Sequence, residues 1–438
     1  MKSHSRRKFL RRGAATLASA LSVPLVVPAR VLGLEGKVAP SERLVMGSIG
    51  LGGRGYTVLG HFLRFQEVQC VAVADCFPDR RQKGKTLVDQ RYSKRDGVSS
   101  DISTHALHEE ILDRSDIDIV LIATGDRWHT PLSVLAARAG KDIFCEKPST
   151  LTIGEGRILV DTMKRYGTVW QCGTQRRSNA SFGFFVDFVR SGKIGALKSA
   201  TASVGPWGHD WGYEKVFATP EPVPANFDWS RWLGQSPWAP YAPVRIAHWR
   251  DHWDTGAGPI ADMGPHYLEL VQWALGTQFS GPVEFEGRAD FFDAGFVNVP
   301  YTVDVTMRYR DGFPVTLDSG DKGISFTGEE GTLRIDDGGG AIKADPATIL
   351  DGVEVPLMRD WSVMQDAHIG DFLKCVRSRK LTLSHPEITQ RAHTAAHCAN
   401  IALRLGRKVH WSPESELFEN DDEANRMLSR TQRAPWRI

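Results

Sequence analysis

Three residues of this chain combine reactive side chains with positions suited to moving protons and hydride. Lys147 stands in Glu146-Lys147-Pro148, directly after the short apolar run 142–145. Proline cannot continue a central strand, so the chain must turn there and carry the lysine to a strand end. An ammonium held beside a cationic cofactor ring sheds its proton more readily, or donates to a substrate hydroxyl. Glu146 is placed to orient it. Asp262 and His266 lie four residues apart in G-A-G-P-I-A-D-M-G-P-H, residues 256–266. If that segment enters a helix, both side chains share one face. A histidine near its ordinary pKa takes a hydroxyl proton while hydride leaves the same carbon. Asp262 would then fix its tautomer or hold a second hydroxyl. An exposed lysine and a structural histidine are the competing readings. No metal is expected, because a spacing such as H-E-x-x-H is absent.

Such groups need a partner that accepts hydride, and one stretch offers it a seat. Leu44–Ile49 is an apolar run that ends in Gly50-Leu51-Gly52-Gly53-Arg54-Gly55. Gly50, Gly52 and Gly55 fall on the G-x-G-x-x-G spacing. The first permits a tight turn, the second lets backbone approach a pyrophosphate, and the third lets a helix sit close on its strand. The helix that follows points its amide end at the phosphates. A second apolar run ends in Asp75, near the ~20-residue separation of the acid that grips an adenine ribose. Its carboxylate would repel a 2′-phosphate, which favours NAD over NADP; Arg80 and Arg81 nearby pull the other way. Gly53, Arg54, Thr124, Trp128, His129, Glu146, Lys147 and Gln175 complete the expected cofactor contacts.

From Ile117 to Cys172, runs such as I-D-I-V-L-I-A alternate with helical patterns, the signature of a doubly wound parallel sheet. Asp75, Thr124 and Lys147 all fall at strand carboxyl ends, where such sheets bind ligands. Pro131 is expected to open the helix 132–139. After residue 175 the pattern turns to alternating strands, clearest in 302–309, with helices expected over 369–377 and 388–405. A long insertion, 206–253, is rich in tryptophan and proline. It is expected to stack on a sugar ring or on a partner subunit, or to form an apolar cluster under a loop. Arg176 and Trp207, with His209, Asp210 and Glu214 as weaker candidates, are expected toward the substrate, as are Asp262 and His266. The expected fold is α/β, a Rossmann domain at 40–175 followed by an α+β domain at 176–412 with an open, largely antiparallel sheet. A charged tail, 413–438, is expected on the surface.

Length of 438 residues exceeds one ordinary core, and a net charge of +2 argues against a dominant nucleic-acid surface. Residues 1–33 are set apart: Ser5-Arg6-Arg7-Lys8-Phe9-Leu10 is a twin-arginine signature, followed by a mild apolar region and a small-residue site ending at Ala29. Export in folded form, to the periplasm, is expected. A nicotinamide cofactor would travel inside and be regenerated in place, since no soluble pool awaits it. No membrane segment beyond that signal is expected. The six cysteines have no C-x-x-C spacing and read as buried free thiols.

Taken together, G-L-G-G-R-G, Asp75, E-K-P, Q-C-G-T-Q-R-R at 171–177, and G-A-G-P-I-A-D-M-G-P-H resemble the Gfo/Idh/MocA oxidoreductases. The tail from Asp422 to Ile438 resembles their exported branch. The resemblance spans nearly the whole chain. It implies Lys147, Asp262 and His266 as the catalytic set, with His266 as acid/base. It also implies a cis Lys147–Pro148 bond and an open sheet used in a homo-oligomer, dimer or tetramer. The implied activity is hydride transfer between a sugar or polyol carbon and nicotinamide. Redox-neutral glycoside cleavage is the alternative, and a non-catalytic sugar-binding scaffold is the third reading. Gly258-Pro259-Ile260 departs from the commoner run at that point.

Overall fold

The computed structural model describes residues 38–95, 101–208, 212–337, 342–357 and 360–438. The twin-arginine segment, His209 and Asp210 lie outside the described residues. Residues 44–438 form one compact unit; of the unit preceding it, a short 3-10 turn at Pro40–Glu42 is described.

Six parallel strands build the first sheet: β1 Leu44–Ile49, β2 Val68–Ala74, β3 Ser103–His105, β4 Ile119–Ile122, β5 Asp142–Cys145 and β6 Trp170–Cys172. Their order is β3-β2-β1-β4-β5-β6, so the connection reverses direction between β1 and β4. A crevice opens at that switch point, outside the carboxyl ends of both strands. These strands are near-continuous apolar runs because helices cover both faces. One covering helix, Trp361–Ser378, comes from far along the chain. Its Phe372 meets Phe62 and Phe144 edge to face, at 6.3 and 5.8 Å between ring centroids. Sequence order assigns that helix to the second domain, but its apolar face completes the first core.

Among the described residues the second sheet has nine strands in the order β13-β12-β11-β7-β10-β9-β8-β14-β15. They are β7 Leu197–Ser203, β8 Glu284–Asp290, β9 Thr302–Arg308, β10 Pro314–Asp318, β11 Gly323–Gly328, β12 Thr332–Asp336, β13 Ile342–Asp345, β14 Val409–Ser412 and β15 Leu417–Phe418. All pairings are antiparallel except β7 with β10. Val303, Val305 and Met307 alternate inward along β9, as the period of two predicts. The helices Gly258–Leu275 and Pro386–Leu405 share the core beneath this sheet.

Two boundaries differ from the sequence reading in ways that matter. The helix expected to start after Pro131 begins at Asp126, with Pro131 inside it. Gly125 in extended backbone caps it, so the residues just before Pro131 form the first helical turn. The helix Trp361–Ser378 likewise starts eight residues before the expected 369, where the Asp360 side chain accepts from the Ser362 amide.

The glycine turn is tight for identifiable reasons. Gly50 has φ +90°, and a Cβ there would lie 2.5 Å from the Ala123 carbonyl oxygen. A Cβ on Gly55 would lie 2.1 Å from the Gly50 carbonyl oxygen, so only glycine lets the helix Gly53–Phe62 rest on β1. Backbone, not a flexible side chain, is what such a Cβ meets. Gly55→Ala should therefore cost about 1–3 kcal/mol by overpacking. Urea denaturation checks this, and an unchanged midpoint would refute the close approach.

Candidate active site

Lys147 lies two residues past the end of β5, and its peptide bond to Pro148 is cis. Its ammonium donates to Asp262 Oδ1 at 2.9 Å and to the Asp262 carbonyl oxygen at 2.8 Å. Asp262 lies in the first turns of the helix Gly258–Leu275, so one contact joins the carboxyl end of the first sheet to the helix beneath the second. Gly258, at φ +66°, turns the chain into that helix against Val299. Burial alone would raise the Asp262 carboxyl, but Lys147 and Arg250 outweigh it and hold the group below its ordinary value. Arg250 Nε lies 3.4 Å from the same Oδ1.

His266 follows one turn later on the same helix and is 4% exposed. Its Nδ1 is buried without a hydrogen-bond partner. Burial first, then the charges of Arg176, Lys147 and Arg54, push the imidazole well below 6.5. It is neutral at physiological pH and has a lone pair to offer. Of the two roles expected of Asp262, fixing the His266 tautomer is not the one seen: the carboxylate is bonded to Lys147 and paired with Arg250.

Glu146 also departs from expectation. Its Oε1 accepts from Arg54 Nε at 2.8 Å, and its only contact with Lys147 is to the backbone amide at 3.3 Å. Gly173 leaves room for that carboxylate, since a Cβ there would lie 2.7 Å from its Cδ. Arg54 also reaches Gln365 at 2.6 Å, and the Gln175 amide packs beside it, within reach of Arg54 Nη2 once its oxygen faces that group.

The crevice between β1 and β4 encloses about 480 Å³. Gly50, Gly52, Gly53, Arg54, Asp75 and Thr124 line one side, as the spacing predicts. Asp75 accepts from the Leu51 and Phe77 amides at 2.7 and 2.9 Å, which fixes its carboxylate at the end of β2. Trp128 lines the crevice, but His129, Glu146, Lys147 and Gln175, also expected at the cofactor, do not. For His129 the early start of the helix explains this: consecutive helical residues diverge by about 100°. His129 instead donates from Nδ1 to the Pro148 carbonyl at 2.6 Å.

The opposite wall comes from the tryptophan-rich insertion. Trp229 and Trp232 stack at 4.8 Å, and Trp232, Trp249 and Arg250 face the crevice. The apolar cluster expected of the insertion is present, built on Trp229, Trp232 and Leu233, and it also walls the nucleotide crevice. Trp207 stands back from it and donates its indole N–H to Asp251, beside Arg250, at 2.8 Å. Arg176 is buried, bonded to Asp337, and lies over the Tyr267 ring at 5.1 Å. Neither faces the crevice; both brace its surroundings. Glu214 is exposed at 48% of its side chain and pairs loosely with Lys215.

Sequence reasoning missed Arg127 and Arg250. Arg127 is 2% exposed, lies over Trp232 and donates twice to its carbonyl, at 2.8 and 2.6 Å. Its Nη1 is a buried donor without a partner, in the crevice wall. Its neighbour Trp128 was legible; the helical phase that turns Arg127 inward was not. Arg250 had no local signal at all. Five arginines (Arg54, Arg80, Arg127, Arg231 and Arg250) and one acid, Asp75, line the crevice. A dinucleotide fits this wall: bare glycine at Gly53, an orphaned donor at Arg127, positive charge for a pyrophosphate and a fixed carboxylate for a ribose.

Residues 44–174 match the sequence model of an oxidoreductase family, NAD-binding Rossmann fold, and residues 187–438 that of the same family's C-terminal alpha/beta domain, both GFO_IDH_MocA. Among curated proteins, the chain is 28% identical over 215 residues to glycosyl hydrolase family 109 protein 1 of Shewanella sp. (strain ANA-3). It is 26% identical to the alpha-N-acetylgalactosaminidase of Shewanella oneidensis. Each match covers 45% of both chains, so the chain spans a little under half the length of the curated relatives it matches. In fold it is similar to the WlbA dehydrogenase of Bordetella pertussis in complex with NADH and UDP-GlcNAcA, with TM-score 0.62 and 15% identity over 84% of this chain and 99% of that one. Asp75→Ala removes the ribose acceptor and frees two amides, and should weaken NAD binding about tenfold while narrowing the margin over NADP. Calorimetric titration with both nucleotides checks it.

Proposed function

The chain belongs to the Gfo/Idh/MocA oxidoreductase family, and on that footing we propose that it moves hydride between an alcohol carbon of a sugar or polyol and a resident NAD. One observation carries the reading. The Lys147 ammonium is bonded to Asp262, with a neutral His266 one turn along the same helix. The glycine turn, Asp75, Arg127 and Thr124 would hold the dinucleotide. Bound NAD supplies the hydride acceptor. The chain's own groups handle the protons. His266 accepts the proton of the substrate hydroxyl, because burial keeps it neutral at rest and so leaves it a lone pair. Lys147, fixed by two bonds to Asp262, donates its remaining N–H to the developing alkoxide.

A second reading is supported by the relatives named glycosyl hydrolase family 109 proteins and alpha-N-acetylgalactosaminidase. In redox-neutral glycoside cleavage, the same lysine and histidine would withdraw and return protons around a transiently oxidised carbon. The twin-arginine segment supports export with the nucleotide already inside.

Lys147→Ala and His266→Ala should each abolish turnover and leave nucleotide content unchanged. The assay is nicotinamide absorbance with glucose, myo-inositol and p-nitrophenyl N-acetyl-α-galactosaminide. Release of nitrophenol with no net absorbance change at the nicotinamide band selects the second reading; full activity in either variant overturns both. The depressed His266 sets the pH dependence. The working form is neutral, so kcat/KM should be flat through pH 6.5 and fall only in more acid solution. An acid limb centred at or above 6.5 would contradict the neutral base.

A further inference from the structure

The segment that carries Lys147 has no regular structure of its own. β5 stops at Cys145 and the next helix starts at Ile153. A buried stretch of this kind must find partners for each backbone N–H and C=O elsewhere. It finds them in three imidazoles. His129 Nδ1 donates to the Pro148 carbonyl at 2.6 Å, the Ser149 amide donates to His393 Nε2 at 3.1 Å, and His397 Nε2 lies 3.2 Å from the Thr150 carbonyl. Thr130 Oγ1 adds a bond to the Ser149 carbonyl at 2.9 Å.

His393 and His397 are four apart on the helix Pro386–Leu405, a spacing that also suits a metal. Both nitrogens of His393 and Nε2 of His397 are otherwise engaged. His393 Nδ1 donates to the Thr389 carbonyl at 2.7 Å, which fixes the tautomer and leaves Nε2 with the lone pair the Ser149 amide needs. No group of three or more possible metal ligands occurs among the described residues. His393 is 1% exposed, and burial pushes it down to about 4, so that lone pair persists at neutral pH.

We propose that His393 is a positioning residue for Lys147: its single acceptor nitrogen pins the Ser149 amide, and through it the strand end that aims the ammonium at Asp262. The proposal rests on the catalytic reading of Lys147 given above. His393 touches neither the crevice nor the reacting groups. Its effect therefore falls on the rate of the chemical step rather than on binding.

Two variants of equal polarity separate this from a packing role. In His393→Asn the shorter amide can still donate to Thr389 but stops short of Ser149. In His393→Gln the terminal oxygen falls near the place of Nε2. Hydrogen–deuterium exchange of residues 146–151 reads the clamp without any substrate. H393N should speed exchange at Ser149 by about tenfold and lower kcat by about a hundredfold, with KM and nucleotide content nearly unchanged. H393Q should restore both to near wild-type values. Wild-type exchange in H393N, full turnover despite fast exchange, or equal losses in the two variants would each overturn the proposal. Should neither variant fold, the wild-type amide decides: slow exchange at Ser149 supports the bond, and fast exchange refutes it. Lys147→Ala is measured alongside. Turnover that survives it sinks the catalytic reading, whereas a dead K147A beside a fully active H393N sinks the clamp alone.

Discussion

Glu146 and Lys147 are adjacent, oppositely charged, and tied to different parts of the molecule. The glutamate reaches back to Arg54 on the glycine turn, and the lysine reaches forward to Asp262 on the helix beneath the second sheet. This dipeptide fixes the distance between the nucleotide crevice and the groups that would act on a substrate. Its contribution to net stability is modest, because taking both members of a pair out of water costs about as much as their attraction returns. Lys147 and Asp262 side chains keep 16% and 15% of their exposure. What the pairs supply is position. Either charge left alone at that depth would be strongly unfavourable, so the arrangement tolerates little else.

Around this staple the interior is polar but largely uncharged in its histidines. His129, His266, His393 and His397 are all buried and all held below the ordinary imidazole value, burial being the leading cause in each. Each stays neutral, and each neutral ring offers a donor, an acceptor or one of each. That property lets three of them bind backbone on the Lys147 segment while the fourth keeps Nδ1 unpaired. Charge is concentrated instead on arginines along the crevice. There the aromatic insertion supplies flat surfaces for guanidinium groups: Arg127 lies over Trp232 at 3.9 Å and Arg250 over Trp249 at 4.2 Å.

The C-terminal segment joins the same wall from outside. Arg433 donates to the Ser230 and Gly234 carbonyls at 2.6 and 2.8 Å, and Trp436 meets Trp128 at 5.3 Å. Arg430 binds the Trp253 carbonyl. A stretch that reads as a charged surface tail therefore holds the insertion against the first helical turn after β4. Its composition gave no hint of this, because arginines that bond to carbonyls look the same in sequence as arginines in solvent.

Much was legible without coordinates, and for local reasons. A glycine turn announces itself because only glycine fits there; the Cβ distances at Gly50 and Gly55 are the physical content of that spacing. Strand alternation in β9 and the parallel order of the first sheet follow from which residues must avoid water. So do Asp75, Thr124 and Lys147 at strand ends, and the four-residue spacing that sets Asp262 and His266 on one helix. What tertiary structure alone decided was partnership. That Asp262 binds Lys147 rather than His266, that Glu146 turns to Arg54, that Arg176 is locked to Asp337, and that His393 supports a segment 244 residues away are outcomes of packing between distant elements. Spacing along a chain fixes which side chains share a face. It does not fix which charge, brought in from elsewhere, arrives first to satisfy a buried group.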